Sequence, residues 1–226
     1  FNGGDPERQE VFFKLKTNNG WGLACNGNTK IEIKCSNSLN PQIAVLGNSY
    51  AMSWVNSIRR ASNSGIVQLT QDSCALGFVD KVVDFKAMPC DVFFEKAIQT
   101  IIETESIKTV VLSSPFDREF ISPTYRDSFI SLISKFEGKN VVIMGPTPRA
   151  PFNVGECLFK KTLFQNSKSC DYIISSENLF KTHQIFDSLK NMNNVKIYSL
   201  IDIICPGGHC AMQPNNDVLM YIDNGH

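Results

Sequence analysis

The chain's pattern of apolar segments predicts an α/β fold: a three-layer α/β/α sandwich built on a mostly parallel five-stranded sheet. Three observations carry this. Short apolar runs of strand length recur at 43–46, 65–70, 108–113, 140–144 and 194–199. Longer segments between most of them repeat apolar residues three and four apart, the spacing of one helix face. Strands alternating with helices form βαβ units, whose right-handed crossovers put helices on both faces of a parallel sheet. With 226 residues the chain is long enough to bury a substantial core.

Residues 1–40 are polar, with many Asn and Gly, and read as an N-terminal arm packed on a main domain of 41–226. Asn40-Pro41 punctuates the entry to the first strand, 43–46. A helix over 52–61 follows, with Trp54, Val55 and Ile58 at helical spacing. The second strand is 65–70, and 71–90 form a loop. The next helix, 91–106, repeats Val92, Phe93, Ala97, Ile98, Ile101 and Ile102; strand 108–113 is apolar and β-branched. Helical periodicity returns at 122–136, and strand 140–144 stops at Gly145-Pro146-Thr147-Pro148. Helices are expected at 155–166 and at 177–192, where Leu179, Phe180, Ile185, Phe186 and Leu189 share one side. The fifth strand is 194–199.

Lys and Arg together number 22, as do Asp and Glu, so the formal net charge is zero. No basic block appears, which argues against general nucleic-acid binding. No apolar run approaches the ~18 residues of a membrane span. The chain shows no signal-peptide pattern and does not begin with Met, so a mature or excised fragment is expected. Eight cysteines fall in four sequential couples: Cys25 and Cys35, Cys74 and Cys90, Cys157 and Cys170, Cys205 and Cys210. Nearest-neighbour disulfides in an oxidising compartment are the reading adopted; eight buried free thiols are the alternative. Knuckle spacing for zinc is absent, although His209 beside Cys210 leaves a metal site as another alternative. No cofactor or metal is assigned, and no N-x-Ser/Thr sequon supports secretion independently.

In this architecture the strand ends form one crevice at the carboxyl edge, where open α/β sheets bind their ligands. The first strand delivers Gly47-Asn48-Ser49-Tyr50-Ala51 to that edge. Taken alone, this junction is also what an ordinary helix cap looks like. The chain ends with Asp223-Asn224-Gly225-His226, one of three histidines with His183 and His209. An early G-N-S-Y-A with a late D-x-x-H resembles the SGNH hydrolase superfamily, whose first block is typically G-D-S and whose last is D-x-x-H. The closer resemblance is to the SGNH domain fused to type-three membrane acyltransferases, which O-acetylate sugars. There the first block usually reads G-D-S-H-A, and two nearby cysteines often precede the final block, as Cys205-Pro206-Gly207-Gly208-His209-Cys210 does here.

That resemblance implies a flavodoxin-like strand order 2-1-3-4-5 and a serine triad. Ser49 is then the nucleophile, His226 the general base and acid, and Asp223 the group that orients His226. It also implies an acyl donor, a hydroxyl acceptor such as a carbohydrate, and a covalently linked membrane acyltransferase domain. The location would be extracellular, lumenal or periplasmic, tethered to a membrane. The backbone N–H of Ser49 is the expected oxyanion donor, with Ser114 as a positional candidate for a second. The sequence departs from the superfamily at three places. Asn48 replaces Asp, Tyr50 replaces His, and Leu112-Ser113-Ser114-Pro115 stands where G-x-N-D is usual. No clear second block stands near Gly77. Arg118 and Arg149 read as solvated surface residues. A free-standing acetyl esterase and a disulfide-stapled binding module without activity remain alternatives.

Overall fold

The computed structural model describes residues 18–76, 89–116, 123–164, 169–175 and 186–212. The main sheet consists of β1 (Ile43–Gly47), β2 (Ile66–Thr70), β3 (Thr109–Ser113), β4 (Asn140–Met144) and, after the short β5 (Tyr172–Ile173) that lies outside it, β6 (Val195–Tyr198). Their spatial order is β2-β1-β3-β4-β6, with every neighbouring pair parallel. Counted within this sheet, that is the order 2-1-3-4-5. The helices between them are α1 (Ser49–Ala61), α2 (Cys90–Glu103) and α3 (Pro123–Ser134).

Side chains alternate across a strand, so each strand feeds two layers. Ala44 and Leu46, with Val67, Leu69, Val110, Leu112, Val141 and Ile143, pack on one face. There they meet Phe93, Ala97 and Ile101 of α2 and Tyr125, Phe129 and Ile133 of α3. On the other face Val45, Ile66 and Val111 meet Ala51 and Val55 of α1. The near-continuous apolar strands follow from this two-sided cover. Leu46, Phe93, Ile101 and Leu112 have no exposed surface, and burying each contributes about 1.5–3 kcal/mol.

The described residues before β1 lie along β2, whose outer edge would otherwise be open. Asn26 bridges to Thr70 and Ser36 to Val67. The Gly27 N–H donates to the Thr70 carbonyl at 2.8 Å, and Ser36 Oγ to the Ile66 carbonyl at 2.8 Å. Gln68 is wholly buried within β2 because its amide is satisfied. Its Oε1 accepts from the Trp21 N–H, and its Nε2 donates to Thr70 Oγ1. Two disulfides belong to this layer of the chain: Cys25–Cys35 clips the segment before β1, and Cys74–Cys90 ties the residues just after β2 to the first residue of α2.

By their contacts the described residues form two units, 18–146 with 186–198, and 147–175 with 199–212. The second holds α4 (Val154–Phe164), α5 (Leu200–Ile204) and a small antiparallel pair, β5 (Tyr172–Ile173) with β7 (His209–Cys210). Its core gathers Val154, Leu158, Tyr172, Ile201 and Met212. Disulfides Cys157–Cys170 and Cys205–Cys210 close it. Asp171 pins the chain beyond β7: its Oδ1 accepts from the Met212 N–H at 2.9 Å and its Oδ2 from Ser169 Oγ at 2.7 Å.

Three details differ from the sequence reading. α1 begins at Ser49 rather than 52, because Asn48 caps it. The helix expected over 177–192 does not continue to its end: 176–185 lie outside the described residues, and the stretch after them is a single 3₁₀ turn, Asp187–Leu189. Asn191 lies in the stretch expected to be helical, and asparagine disfavours helix because its side chain competes for backbone partners. Just before β6, Asn194 donates to the Phe136 and Lys139 carbonyls. Lastly, α5, β5 and β7 are too short to leave a periodic signal and were not expected.

Candidate active site

The strand edge is shaped first by Gly47. Its φ of +150° lies where side-chain-bearing residues are rarely found. A Cβ there would stand 2.3 Å from the Ser113 carbonyl oxygen and 2.8 Å from Ala51 Cβ. Glycine therefore lets β1 close against β3 as the chain turns into α1. Asn48 then takes the cap position with extended backbone, φ −107° and ψ −152°. Its Oδ1 accepts from the Tyr50 N–H at 3.1 Å, and its carbonyl accepts from the Met52 N–H at 3.0 Å. Ser49 is thereby fixed as the first residue of α1, half-buried, at the positive end of the helix dipole.

The neighbouring strand ends are tied to this turn. Gly47 pairs with Ser113 in the parallel register, so Asn48 and Ser114 come side by side just past the ladder. Asn48 Nδ2 donates to Ser114 Oγ at 3.3 Å. Asn48 is 5% exposed and Ser114 not at all. One position earlier, Ser113 Oγ donates to the Met144 carbonyl at 2.9 Å. The Gln71 N–H donates to the Gly47 carbonyl at 3.0 Å, and the Gly145 N–H to the Tyr198 carbonyl at 3.1 Å. β4 ends at the cis peptide Gly145–Pro146. Gly145 packs on the Phe116 ring, which a Cβ would approach to 2.7 Å. A hydrogen-bonded belt thus runs across the carboxyl edge from β2 to β6, and Ser49 follows its Asn48 link in the chain.

The arrangement places Ser49, a half-buried residue, at a helix start, where backbone N–H groups favour negative charge. Asp223 and His226 lie outside the described residues, as do Gly77, Asp117, Arg118 and His183. Within the second unit, His209 is exposed at the start of β7, Asp202 is exposed on α5, and Arg149 is half-buried rather than fully solvated. No group of three or more His, Cys, Asp or Glu side chains able to hold a metal occurs among the described residues. No helix among them is long and apolar enough to cross a membrane. Sequence reasoning missed the Asn48–Ser114 pair, which depends on a register that no local pattern announces.

The model of the SGNH domain, the one fused to AT3 domains, matches residues 24–226. The chain belongs to this SGNH family. Its fold is also similar to a solved structure, the periplasmic domain of a lipopolysaccharide acetyltransferase from Salmonella ser. Paratyphi A. The TM-score is 0.68 and the identity 16%, over 99% of this chain and 91% of that one. At such identity the likeness establishes a common SGNH fold. No curated protein matches the sequence.

Proposed function

We propose that this SGNH domain is the extracytoplasmic part of an O-acyltransferase, moving an acetyl or other acyl group through a serine ester to a hydroxyl acceptor, with carbohydrate as the acceptor class. The observation that carries this reading is the placement of Ser49: a half-buried serine as the first residue of α1, at the carboxyl edge of β1, in a chain of the AT3-linked SGNH family. The acetyltransferase domain that shares the fold supports the same reaction class. Four disulfides support an oxidising compartment. The family's usual fusion supports a membrane acyltransferase domain in the same polypeptide as the source of acyl groups.

In the proposed cycle Ser49 Oγ attacks the acyl carbonyl of the donor while His226, oriented by Asp223, takes the hydroxyl proton. The tetrahedral oxyanion is met by the Ser49 N–H; losing one such donor typically costs about 3 kcal/mol of barrier. Collapse returns the proton from His226 to the leaving group and leaves the acyl ester on Ser49. The acceptor hydroxyl then gives its proton to His226 and attacks that ester. The second intermediate releases O-acylated acceptor, and the proton returns to Ser49.

Acetate release and acetyl transfer from an activated acetyl ester, measured with and without an oligosaccharide, test the reading. Transfer to the sugar is expected, with Ser49→Ala lowering turnover at least about a thousandfold. Full turnover by Ser49→Ala would overturn a serine mechanism. Release unaffected by acceptor, with no sugar ester formed, would leave an esterase instead.

A further inference from the structure

We infer that Asn48 and Ser114 form one positioning device for Ser49, and that Ser114 serves the site through Asn48 rather than as a second oxyanion donor; this rests on the serine mechanism proposed above. Backbone pairing between β1 and β3 stops at Gly47 and Ser113. One residue further on, the side chains take over, with Asn48 Nδ2 donating to Ser114 Oγ. The same amide accepts the Tyr50 N–H with its other end. A single planar group therefore links the end of β3 to the first turn of α1, with Ser49 held between its anchor points. Both partners are buried, Asn48 at 5% and Ser114 at 0% exposure, so water competes little for either bond. Ser114 presents no surface to a ligand oxygen. Its neighbour Ser113 anchors β3 to β4 through the Met144 carbonyl, which stiffens the base on which Asn48 rests.

The chemistry of position 48 follows from the polarity of the pair. An amide donates at one end and accepts at the other, which matches the two contacts of Asn48. A carboxylate accepts at both ends, so with Asp at 48 the bridge takes its proton from the Ser114 hydroxyl. The bridge survives that exchange, whereas Ala removes it. A hydroxyl displaced by a fraction of an ångström to 1 Å from its attack geometry loses about 10- to 100-fold in rate.

The test is the second-order rate of Ser49 labelling by a fluorophosphonate, and kcat and KM for an acetyl ester, both normalised to titrated active sites. They are measured for the unsubstituted chain, Asn48→Ala, Ser114→Ala, the double variant and Asn48→Asp. Thermal unfolding of each reports folding separately. Each Ala variant is expected to lose about 10- to 100-fold in labelling rate and kcat, with KM little changed. The double variant is expected to be no slower than the slower single one, and Asn48→Asp to recover most of the rate. Rates unchanged in Asn48→Ala overturn the inference, as does a further full loss on adding Ser114→Ala to Asn48→Ala, which would mark Ser114 as an independent donor. Loss of active sites without loss of rate per site also overturns it, since a purely structural role would act that way. Failure of the unsubstituted chain to label at Ser49 instead overturns the serine mechanism beneath it.

Discussion

Gly47 and Ser49 sit two residues apart and answer to different constraints. Gly47 is required by shape: its positive φ and the Ser113 carbonyl leave no room for a Cβ. Gly47→Ala is expected to destabilise the protein by at least about 2 kcal/mol, combining backbone strain with overpacking. Chemical denaturation measures this, and a loss below the error of the fit would contradict the geometry. Ser49 is the nucleophile proposed above, and the turn that carries it was legible, because an apolar run ending in Gly-Asn-Ser before helical spacing marks a strand-to-helix corner. What Asn48 does was half legible. Its bond to the Tyr50 N–H is local cap chemistry. Its bond to Ser114 spans 66 residues and depends on which strands become neighbours.

Elements were readable in proportion to their length and periodicity. β4 was read at its observed limits, and the other sheet strands within one residue at each end, because each is a buried apolar run bounded by polar residues. Helices α2 and α3 were found with ends misplaced by one to three residues, since capping and fraying are settled by tertiary contacts. The two-residue strands β5 and β7 carry no pattern; the side chain of Asp171 and the Cys205–Cys210 link hold their surroundings together. The Asp171 carboxyl is held below the usual aspartate range, first by the Ser169 hydroxyl and then by the Met212 N–H. An unfolded chain binds that proton more readily. The contribution is therefore complete above the ordinary aspartate pKa of about 3.9 and is lost as pH falls through the lower folded value. Asp171→Asn is expected to reduce the fall in Tm on acidification from about pH 6 to about pH 3. An unchanged acid response would contradict the assignment. Removing the Cys74–Cys90 link, which closes a separation of 16 residues, is expected to cost about 3 kcal/mol. Thermal unfolding of the Cys74→Ala/Cys90→Ala variant checks this, and an unshifted Tm would contradict it.

For the molecule as a whole, parallel pairing brings the ends of β1, β3 and β4 to one edge, and the belt of bonds across it fixes where Ser49 stands. The alternation of strands and helices made this edge predictable, whereas the division of the described residues into two units left no mark in composition or linker signals. Four short-range disulfides staple both units. Non-reducing peptide mapping is expected to recover those four pairs, and any linkage between pairs would contradict them. The central claim, that Ser49 is a nucleophile activated by His226, is tested most directly by fluorophosphonate labelling followed by mass-spectrometric mapping of the adduct. The account predicts one adduct, on Ser49, formed at a rate that falls by orders of magnitude in His226→Ala. An adduct on another residue, or labelling of Ser49 at an undiminished rate without His226, would contradict it.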